Sequence, residues 1–144
     1  MLYLDSSSLL KLLWRESESE AVGAVAAAED VVVVSSLAEL ETEVQMKAAW
    51  PAGRYRRGQW RRLRAKLAEL RDSEPFRFQT LPGTMFRVAL RQHAAAGRMH
   101  CRTLDRLHLA AMEELQTRRL MTHDRGQGEA AATLGFDVLM PGSS

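Results

Sequence analysis

The segment DVVVVSS, residues 30–36, constrains the fold more than any other stretch of this sequence. Its four consecutive valines are β-branched, which favours a strand, and no polar residue alternates with them. A strand that is apolar on both faces fits a parallel sheet with helices packed on each side. The segment therefore predicts an α/β protein with a buried parallel sheet.

Strand-like and helix-like segments alternate along the rest of the chain, which supports the same fold class. Further strands are predicted at LYLD, FRFQTL, RRLMTHD and FDVLM. A helix is predicted for LAELETEVQMKAAW, with inward-facing residues Leu37, Leu40, Val44 and Ala48. Another is predicted for RTLDRLHLAAMEELQT, with an apolar stripe of Leu104, Leu107, Ala111 and Leu115.

The length of 144 residues suits a single domain, which we place at residues 1–140, followed by a short tail at 141–144. No run of about 18 apolar residues is present, so no membrane helix is expected. The first residues lack a basic region and do not resemble a signal peptide. A single cysteine, Cys101, allows no intrachain disulfide, and we expect a cytoplasmic protein.

Four acidic residues fall where a parallel sheet would gather ligands, outside the carboxyl ends of its strands. Asp5 ends the first predicted strand, and Asp124 ends a strand more than a hundred residues later. Glu41 and Asp105 lie in the first turns of predicted helices, each beside apolar positions. Taken singly, these acids have ordinary explanations as helix caps, turn residues or partners of a helix dipole.

Taken together, the four acids predict a site for a divalent cation. Carboxylates within about 4–6 Å of one another repel unless a counter-charge is present. Mg²⁺ and Mn²⁺ prefer oxygen ligands, and such ions promote attack on phosphate esters. The net charge is only +2, but the stretch from Arg54 to Arg71 is strongly basic and contains Tyr55 and Trp60. That stretch is either a solvated helix face or a contact surface for RNA or an acidic partner, and with the acids it favours phosphodiester cleavage.

The chain resembles a PIN-domain ribonuclease, and more closely a VapC-type toxin of a bacterial toxin–antitoxin pair. The segments that carry the resemblance are LYLDSSSLLKLL, VVVSSLAELETEVQMKA, LDRLHLAAM and MTHDRGQGEAAATLGFDVL. The resemblance implies a three-layer α/β/α sandwich around a mainly parallel sheet. It also implies an endoribonuclease that hydrolyses RNA phosphodiester bonds with Mg²⁺ or Mn²⁺.

Residue by residue, the resemblance implies that the catalytic, metal-holding acids are Asp5, Glu41, Asp105 and Asp124. The spacing from the serine pair favours Glu41 over Glu39 and Glu43 as the second acid. The hydroxyls of Ser6 and Thr122 are expected to support the acids, although Ser6 could instead cap the first helix.

The resemblance also implies partners. A homodimer and a cognate antitoxin of the VapB type are expected, assembled as a heterotetramer or larger complex without a membrane. The basic stretch would then contact RNA or the antitoxin, and the candidate residues are Arg57, Trp60, Arg61 and Arg64.

One alternative is a catalytically silent PIN-like module that binds RNA or protein without cutting. A phosphatase is disfavoured because the second acid of its motif is replaced by Ser7. A zinc site is also disfavoured, because the histidines and Cys101 match no compact zinc spacing. His108 is predicted to be a satisfied, partly buried side chain, and His123 to have a structural role.

Overall fold

The computed structural model describes residues 1–143, and position 144 of the predicted tail lies outside the described residues. The strands are β1 (Leu2–Leu4), β2 (Val32–Ser35), β3 (Phe76–Gln79), β4 (Arg119–Met121) and β5 (Asp137–Leu139). The helices are α1 (Ser6–Leu13), α2 (Ser19–Ala27), α3 (Ser36–Ala49), α4 (Arg57–Arg71), α5 (Met85–Ala95), α6 (Thr103–Glu114) and α7 (Arg125–Thr133). Within residues 1–143, no helix combines the length and apolar character needed to cross a membrane.

The five strands form one parallel sheet in the order β3-β2-β1-β4-β5. In the central strand, Tyr3 lies beside Val33 on one neighbour and Leu120 on the other. The predicted α/β fold class and the strand character of the valine segment are therefore confirmed. Because β1 connects to strands on both of its sides, a crevice opens at the carboxyl end of β1.

Side chains of β1 alternate between two apolar cores, one on each face of the sheet. Leu2 and Leu4 pack with apolar residues of α1 to α4. Tyr3 packs with apolar residues of α6 and α7, and α5 lies against α6. Both faces of the sheet are thus covered by helices, which gives the three-layer α/β/α sandwich that was expected.

The buried face of α3 differs from the prediction. Leu40 and Val44 were predicted to face inward, but their side chains are 61% and 58% exposed. The side that packs against α1 and β2 instead carries Ala38, Thr42, Met46 and Ala49. Of this set, only Met46 has a large side chain, and it is fully buried.

The predicted stripe of α6 is also wrong at one end, because Leu104 is 48% exposed. Leu107 and Leu115 are only partly buried, whereas Ala111 is fully buried as predicted. The helix is covered by the sheet on one side and by α5 on the other. Its buried side is therefore wide and includes the consecutive residues His108, Leu109, Ala110, Ala111 and Met112.

Candidate active site

The four predicted acids line a single cavity of about 410 Å³ at the carboxyl ends of the central strands. Asp5 follows β1 directly, and Asp124 follows β4 and caps α7. Glu41 comes from the second turn of α3, and Asp105 from the first turn of α6. Four separate segments of the chain therefore bring their carboxylates to the crevice beside β1.

Asp5 is the most buried of these acids, with 2% of its surface exposed. Its carboxylate accepts hydrogen bonds from Ser7 Oγ at 2.8 Å, from the Ser8 amide at 2.9 Å and from Thr122 Oγ1 at 2.6 Å. Burial raises the pKa of the Asp5 carboxyl above its ordinary value, and these hydrogen bonds oppose that rise. A cation beside Asp5 would further favour its charged form.

Two hydroxyls were expected to support the acids, and the structure places them differently. Thr122 contacts Asp5 as described and also receives a hydrogen bond from the Asp124 amide at 3.0 Å. Ser6 lines the cavity, but the serine hydroxyl that contacts Asp5 is that of Ser7. Ser7 was not singled out because three consecutive serines follow Asp5, and sequence alone does not say which one faces it.

Glu41 differs from its neighbours Glu39 and Glu43 in the residue that each carboxylate contacts. Its carboxylate contacts the Nε2 atom of His108 and lines the cavity. Glu39 instead forms an ion pair with Arg71, and Glu43 forms one with Arg64. The geometry therefore favours Glu41 as the acid of α3 that faces a ligand.

A buried hydrogen-bond chain leads to Glu41 through His108. The Ser35 hydroxyl accepts from the Ala38 amide at 3.2 Å and lies 2.6 Å from Tyr3 Oη. Burial raises the pKa of the Tyr3 phenol, which keeps its proton, and Tyr3 Oη lies 2.8 Å from His108 Nδ1. A carboxylate oxygen only accepts, so His108 Nε2 carries a hydrogen and donates it to Glu41.

His108 was predicted to be satisfied and partly buried; both ring nitrogens do have partners, but the side chain is only 2% exposed and its link to Glu41 was missed. His108 lies three residues after Asp105 in α6, so both side chains fall on the same side of that helix. Both rings of the Tyr3–His108 pair are fully or nearly fully buried, with centroids 5.8 Å apart. His108 therefore belongs to the support of the acidic cavity as well as to the core.

Asp105 and Asp124 are joined by the guanidinium of Arg102, the N-cap residue of α6. Arg102 Nε donates to Asp105 at 2.7 Å, and its Nη2 contacts Asp124. The Arg102 side chain is 65% exposed, so its position is weakly constrained by packing. A positive charge thus already lies between two of the four carboxylates.

The donor set of the cavity suits a hard divalent cation, although the side chains are not gathered around one point. Within residues 1–143, no group of three or more His, Cys, Asp or Glu side chains is close enough to hold an ion as arranged. The guanidinium of Arg102 stands in for a cation between Asp105 and Asp124. Carboxylate oxygens are the ligands that Mg²⁺ and Mn²⁺ favour, and four separate segments supply them to this cavity.

The candidate contact residues of the basic stretch largely contact one another. Trp60 stacks on Trp50 with ring centroids 5.6 Å apart and an interplanar angle of 17°. Arg57 lies over the Trp50 ring and Arg64 over the Trp60 ring. Arg61, on the same helix, is exposed. The flat faces of these rings are therefore covered by neighbours.

His123 makes the structural contacts that were predicted for it. Its Nδ1 atom lies 2.9 Å from Ser8 Oγ, and its Nε2 atom lies 2.9 Å from the Pro141 carbonyl oxygen. With one ring nitrogen facing α1 and the other facing the segment after β5, His123 connects the rim of the cavity to the end of the chain.

The chain is therefore an α/β protein of the class that carries an acidic site at the carboxyl ends of a parallel sheet. The model of the PIN domain family matches residues 2–132. The chain belongs to the PIN domain family, and the resemblance drawn from its motifs is confirmed.

The relatives found by comparison agree with this family. The chain is 35% identical over 142 residues to Ribonuclease VapC46 of Mycobacterium tuberculosis (strain ATCC 25618 / H37Rv), covering 97% of each chain. Its fold matches a crystal structure of Mycobacterium tuberculosis VapC20, described as a sarcin–ricin loop cleaving toxin, with a TM-score of 0.73, 17% identity and coverage of 98% and 100%. It also matches FitAcB from Neisseria gonorrhoeae, with a TM-score of 0.71, 17% identity and 98% coverage of both chains.

Proposed function

We propose that this chain is a Mg²⁺- or Mn²⁺-dependent endoribonuclease and the toxin of a type II toxin–antitoxin pair. The observation that carries the proposal is the convergence of four carboxylates, from four separate segments, on one cavity of a PIN-domain fold. The similarity to a protein named as a ribonuclease over nearly the whole chain supports nuclease activity. The name of the VapC20 structure supports the toxin role.

In this proposal, the chain's own residues hold the cation and the phosphodiester in place. Asp5, fixed by three hydrogen bonds, is the rigid carboxylate, and Glu41 is oriented by His108. Asp105 and Asp124, which are both more exposed than Asp5, complete the donor set. When bound, a divalent cation lowers the pKa of water and offsets charge on the phosphoryl and leaving oxygens. This route needs neither a catalytic histidine nor the RNA 2′-hydroxyl.

The proposal predicts that the purified chain cuts RNA only when Mg²⁺ or Mn²⁺ is present. Incubation with total RNA should give discrete fragments that carry 5′-phosphates, and EDTA should abolish them. Expression of the chain alone should arrest growth, and Asp105→Ala should relieve the arrest by removing one carboxylate. Retarded migration of RNA on a gel, with no product at any cation concentration, would instead indicate a silent binding module.

We expect Arg102→Ala to tighten Mn²⁺ binding about five-fold in the absence of RNA. The guanidinium competes with a divalent cation for Asp105 and Asp124, and its removal relieves about 1 kcal/mol of repulsion, the size measured for solvent-exposed charge pairs. Titration calorimetry with Mn²⁺ measures the effect. Arg102→Lys keeps the charge and should stay within two-fold of the original chain. Weaker binding by the alanine variant would show that Arg102 supports the cation instead of competing with it.

We further propose that the chain forms a homodimer through exposed apolar residues of α3, α5 and α6. Five of the six large apolar side chains found exposed in residues 1–143 are Leu40, Val44, Phe86, Leu90 and Leu104. Leu104 lines the acidic cavity itself, and Thr103 lines both that cavity and the apolar cavity beside α5. A second copy would bury these side chains through a self-complementary contact, which is the common form of a homodimer.

Leu90→Glu should convert the dimer to a monomer in solution. Leu90 is 69% exposed, so the substitution places a charge on a proposed apolar interface without disturbing the core. Light scattering after gel filtration measures the molar mass. Ala132→Glu, at an exposed position of α7, is the matched control and should leave the dimer intact. A monomer in both the original chain and the control would contradict the proposed dimer.

The cognate antitoxin, of the VapB type, is proposed to place a basic side chain against the acids. Arg102 illustrates the chemistry, because a guanidinium fits between Asp105 and Asp124 without other rearrangement. Two antitoxin chains on a toxin dimer would give a heterotetramer or a larger assembly. We propose that the complex acts in the cytoplasm, where its RNA substrate is found.

A further inference from the structure

The segment after α1, the segment before α4 and one side of α4 enclose a second cavity, which we call the basic cleft. The basic cleft is lined by Arg15, Arg54, Arg62 and Lys66 together with Trp14 and Tyr55, and its volume is about 370 Å³. No acidic residue of the described chain lines it. Among residues 1–143, none of these four cations forms an ion pair with a carboxylate.

The aromatic residues of the basic cleft add hydrogen-bond donors that have no partner. Trp14 and Tyr55 lie with ring centroids 6.4 Å apart and planes inclined at 59°. The Trp14 indole nitrogen and the Tyr55 hydroxyl oxygen are buried, and neither has a hydrogen-bond partner within the described part of the chain.

The basic cleft is connected to the acidic cavity by shared lining residues. Trp14 and Arg54 also line a smaller cavity beside the end of α3. Gln45 lines that smaller cavity and the acidic cavity as well. An extended polymer bound at the four acids could therefore continue past Gln45 and Trp14 into the basic cleft.

We propose that the basic cleft binds backbone phosphates of the single-stranded RNA that flank the cleaved bond. This inference rests on the proposed ribonuclease function. RNA phosphates need only donors, and the basic cleft supplies three guanidiniums and an ammonium. A peptide would also bring backbone N–H groups that need acceptors. The Gln59 side-chain oxygen is already used by the Arg56 amide, so the cleft offers few of them.

The test compares RNA binding by two double variants with equal loss of charge. Arg62→Ala/Lys66→Ala removes two cations one turn apart on α4, whereas Arg98→Ala/Arg118→Ala removes two exposed arginines that line neither the basic cleft nor the acidic cavity. Both are made in full-length chains that carry Asp5→Asn, so that RNA is bound but not cut. Fluorescence anisotropy of a labelled 12-nucleotide oligouridine in Mg²⁺ gives Kd at several salt concentrations.

The cleft variant should raise Kd at least ten-fold and reduce the salt slope, d log K/d log[salt], by about 1.4, since each phosphate contact on a single strand contributes about 0.7. The control should stay within two-fold, and the swap Arg62→Lys/Lys66→Arg should restore binding. Equal Kd values for the cleft variant and the control would overturn the inference. So would tighter, cleft-dependent binding of a labelled oligoglutamate, which would assign the cleft to an acidic peptide.

A separate measurement tells the failure of this inference from the failure of the proposed function. The original chain and both double variants with Asp5 restored are incubated with total RNA and Mn²⁺. Cleavage by the cleft variant at the rate of the control would reject the role of the cleft and keep the ribonuclease. Cleft-dependent RNA binding without cleavage by the original chain would reject the ribonuclease and keep the RNA site.

Discussion

Asp5→Asn should lower RNA cleavage roughly 1000-fold or more while leaving the metal-free fold at least as stable as before. Asp5 is the most buried of the four acids. Its carboxylate is fixed by hydrogen bonds from the Ser8 amide in α1 and from the Thr122 hydroxyl after β4. An asparagine has one fewer oxygen and no charge, so it would hold a divalent cation and a phosphodiester far less well. The measurements are single-turnover cleavage of RNA in Mn²⁺ and calorimetric binding of Mn²⁺.

The stability of the same variant separates loss of chemistry from loss of structure. Burial raises the pKa of Asp5, so its charged form is costly at neutral pH without a cation. The side-chain amide introduced by Asp5→Asn could accept from the Ser8 amide through its oxygen and donate to Thr122 Oγ1, which can turn its hydrogen toward Gln127, 3.2 Å away. The melting temperature in EDTA should therefore be equal to or above that of the original chain.

A matched substitution controls for the change from acid to amide. Asp137→Asn makes the same chemical change at an exposed position of β5, at an edge of the sheet and outside the acidic cavity. It should keep cleavage within two-fold of the original chain. Full cleavage by the Asp5 variant would remove Asp5 from the mechanism, and a large fall in its melting temperature would show a structural cause.

The fold was accessible from sequence because the pattern of its central strands reflects burial on both faces. Valines at 32 and 34 face one core, and Val33 faces the other, so an alternating pattern would have been wrong for this strand. The acids could be placed for the same reason. Once parallel strands are inferred, their carboxyl ends must meet, and Asp5 and Asp124 follow two adjacent strands.

The orientation of helices could not be obtained from apolar spacing alone. Two sets of residues in α3 have the same four-residue spacing. One set is Leu40 and Val44, and the other contains Ala38, Thr42 and Met46. The structure buries the second set against α1 and β2, although that set includes the polar Thr42. The apolar side chains of Leu40 and Val44 therefore remain available to a partner.

The supporting contacts of the site were inaccessible because each joins elements far apart in the sequence. His108 reaches Glu41 across 67 positions, and Thr122 reaches Asp5 across 117. Arg102 meets Asp124 only because the start of α6 lies beside the end of β4. Such pairs depend on the angles between packed helices and strands, and a local pattern carries no information about those angles.

His108→Leu should reduce both the stability of the chain and its affinity for a divalent cation. The side chain is nearly fully buried between Tyr3 and Glu41, and leucine has similar bulk but no hydrogen-bonding atoms. The Tyr3 hydroxyl would lose one of its two buried hydrogen-bond partners, which costs about 1–3 kcal/mol. For a chain of this length, that corresponds to a fall in Tm of about 3–12 °C.

The effect on cation binding follows from the freedom that Glu41 would gain. With no donor at His108 Nε2, the carboxylate can turn toward solvent or toward other cations. Loss of a group that orients a metal ligand typically weakens metal binding or activity by about 10–100-fold. Titration calorimetry with Mn²⁺ and single-turnover RNA cleavage should both show a loss in this range, and His108→Gln, which restores a donor, should recover part of it.

Tyr3→Phe distinguishes an orienting role from a merely structural one. It removes the hydroxyl between Ser35 and His108 and should cost a similar amount of stability, because buried groups again lose partners. It leaves the His108 ring and its contact with Glu41 in place, so Mn²⁺ affinity should fall less than three-fold. His108→Leu could lower Tm as expected and yet bind Mn²⁺ and cut RNA as well as Tyr3→Phe does. That result would show that His108 supports only the core and that Glu41 needs no donor to hold its position.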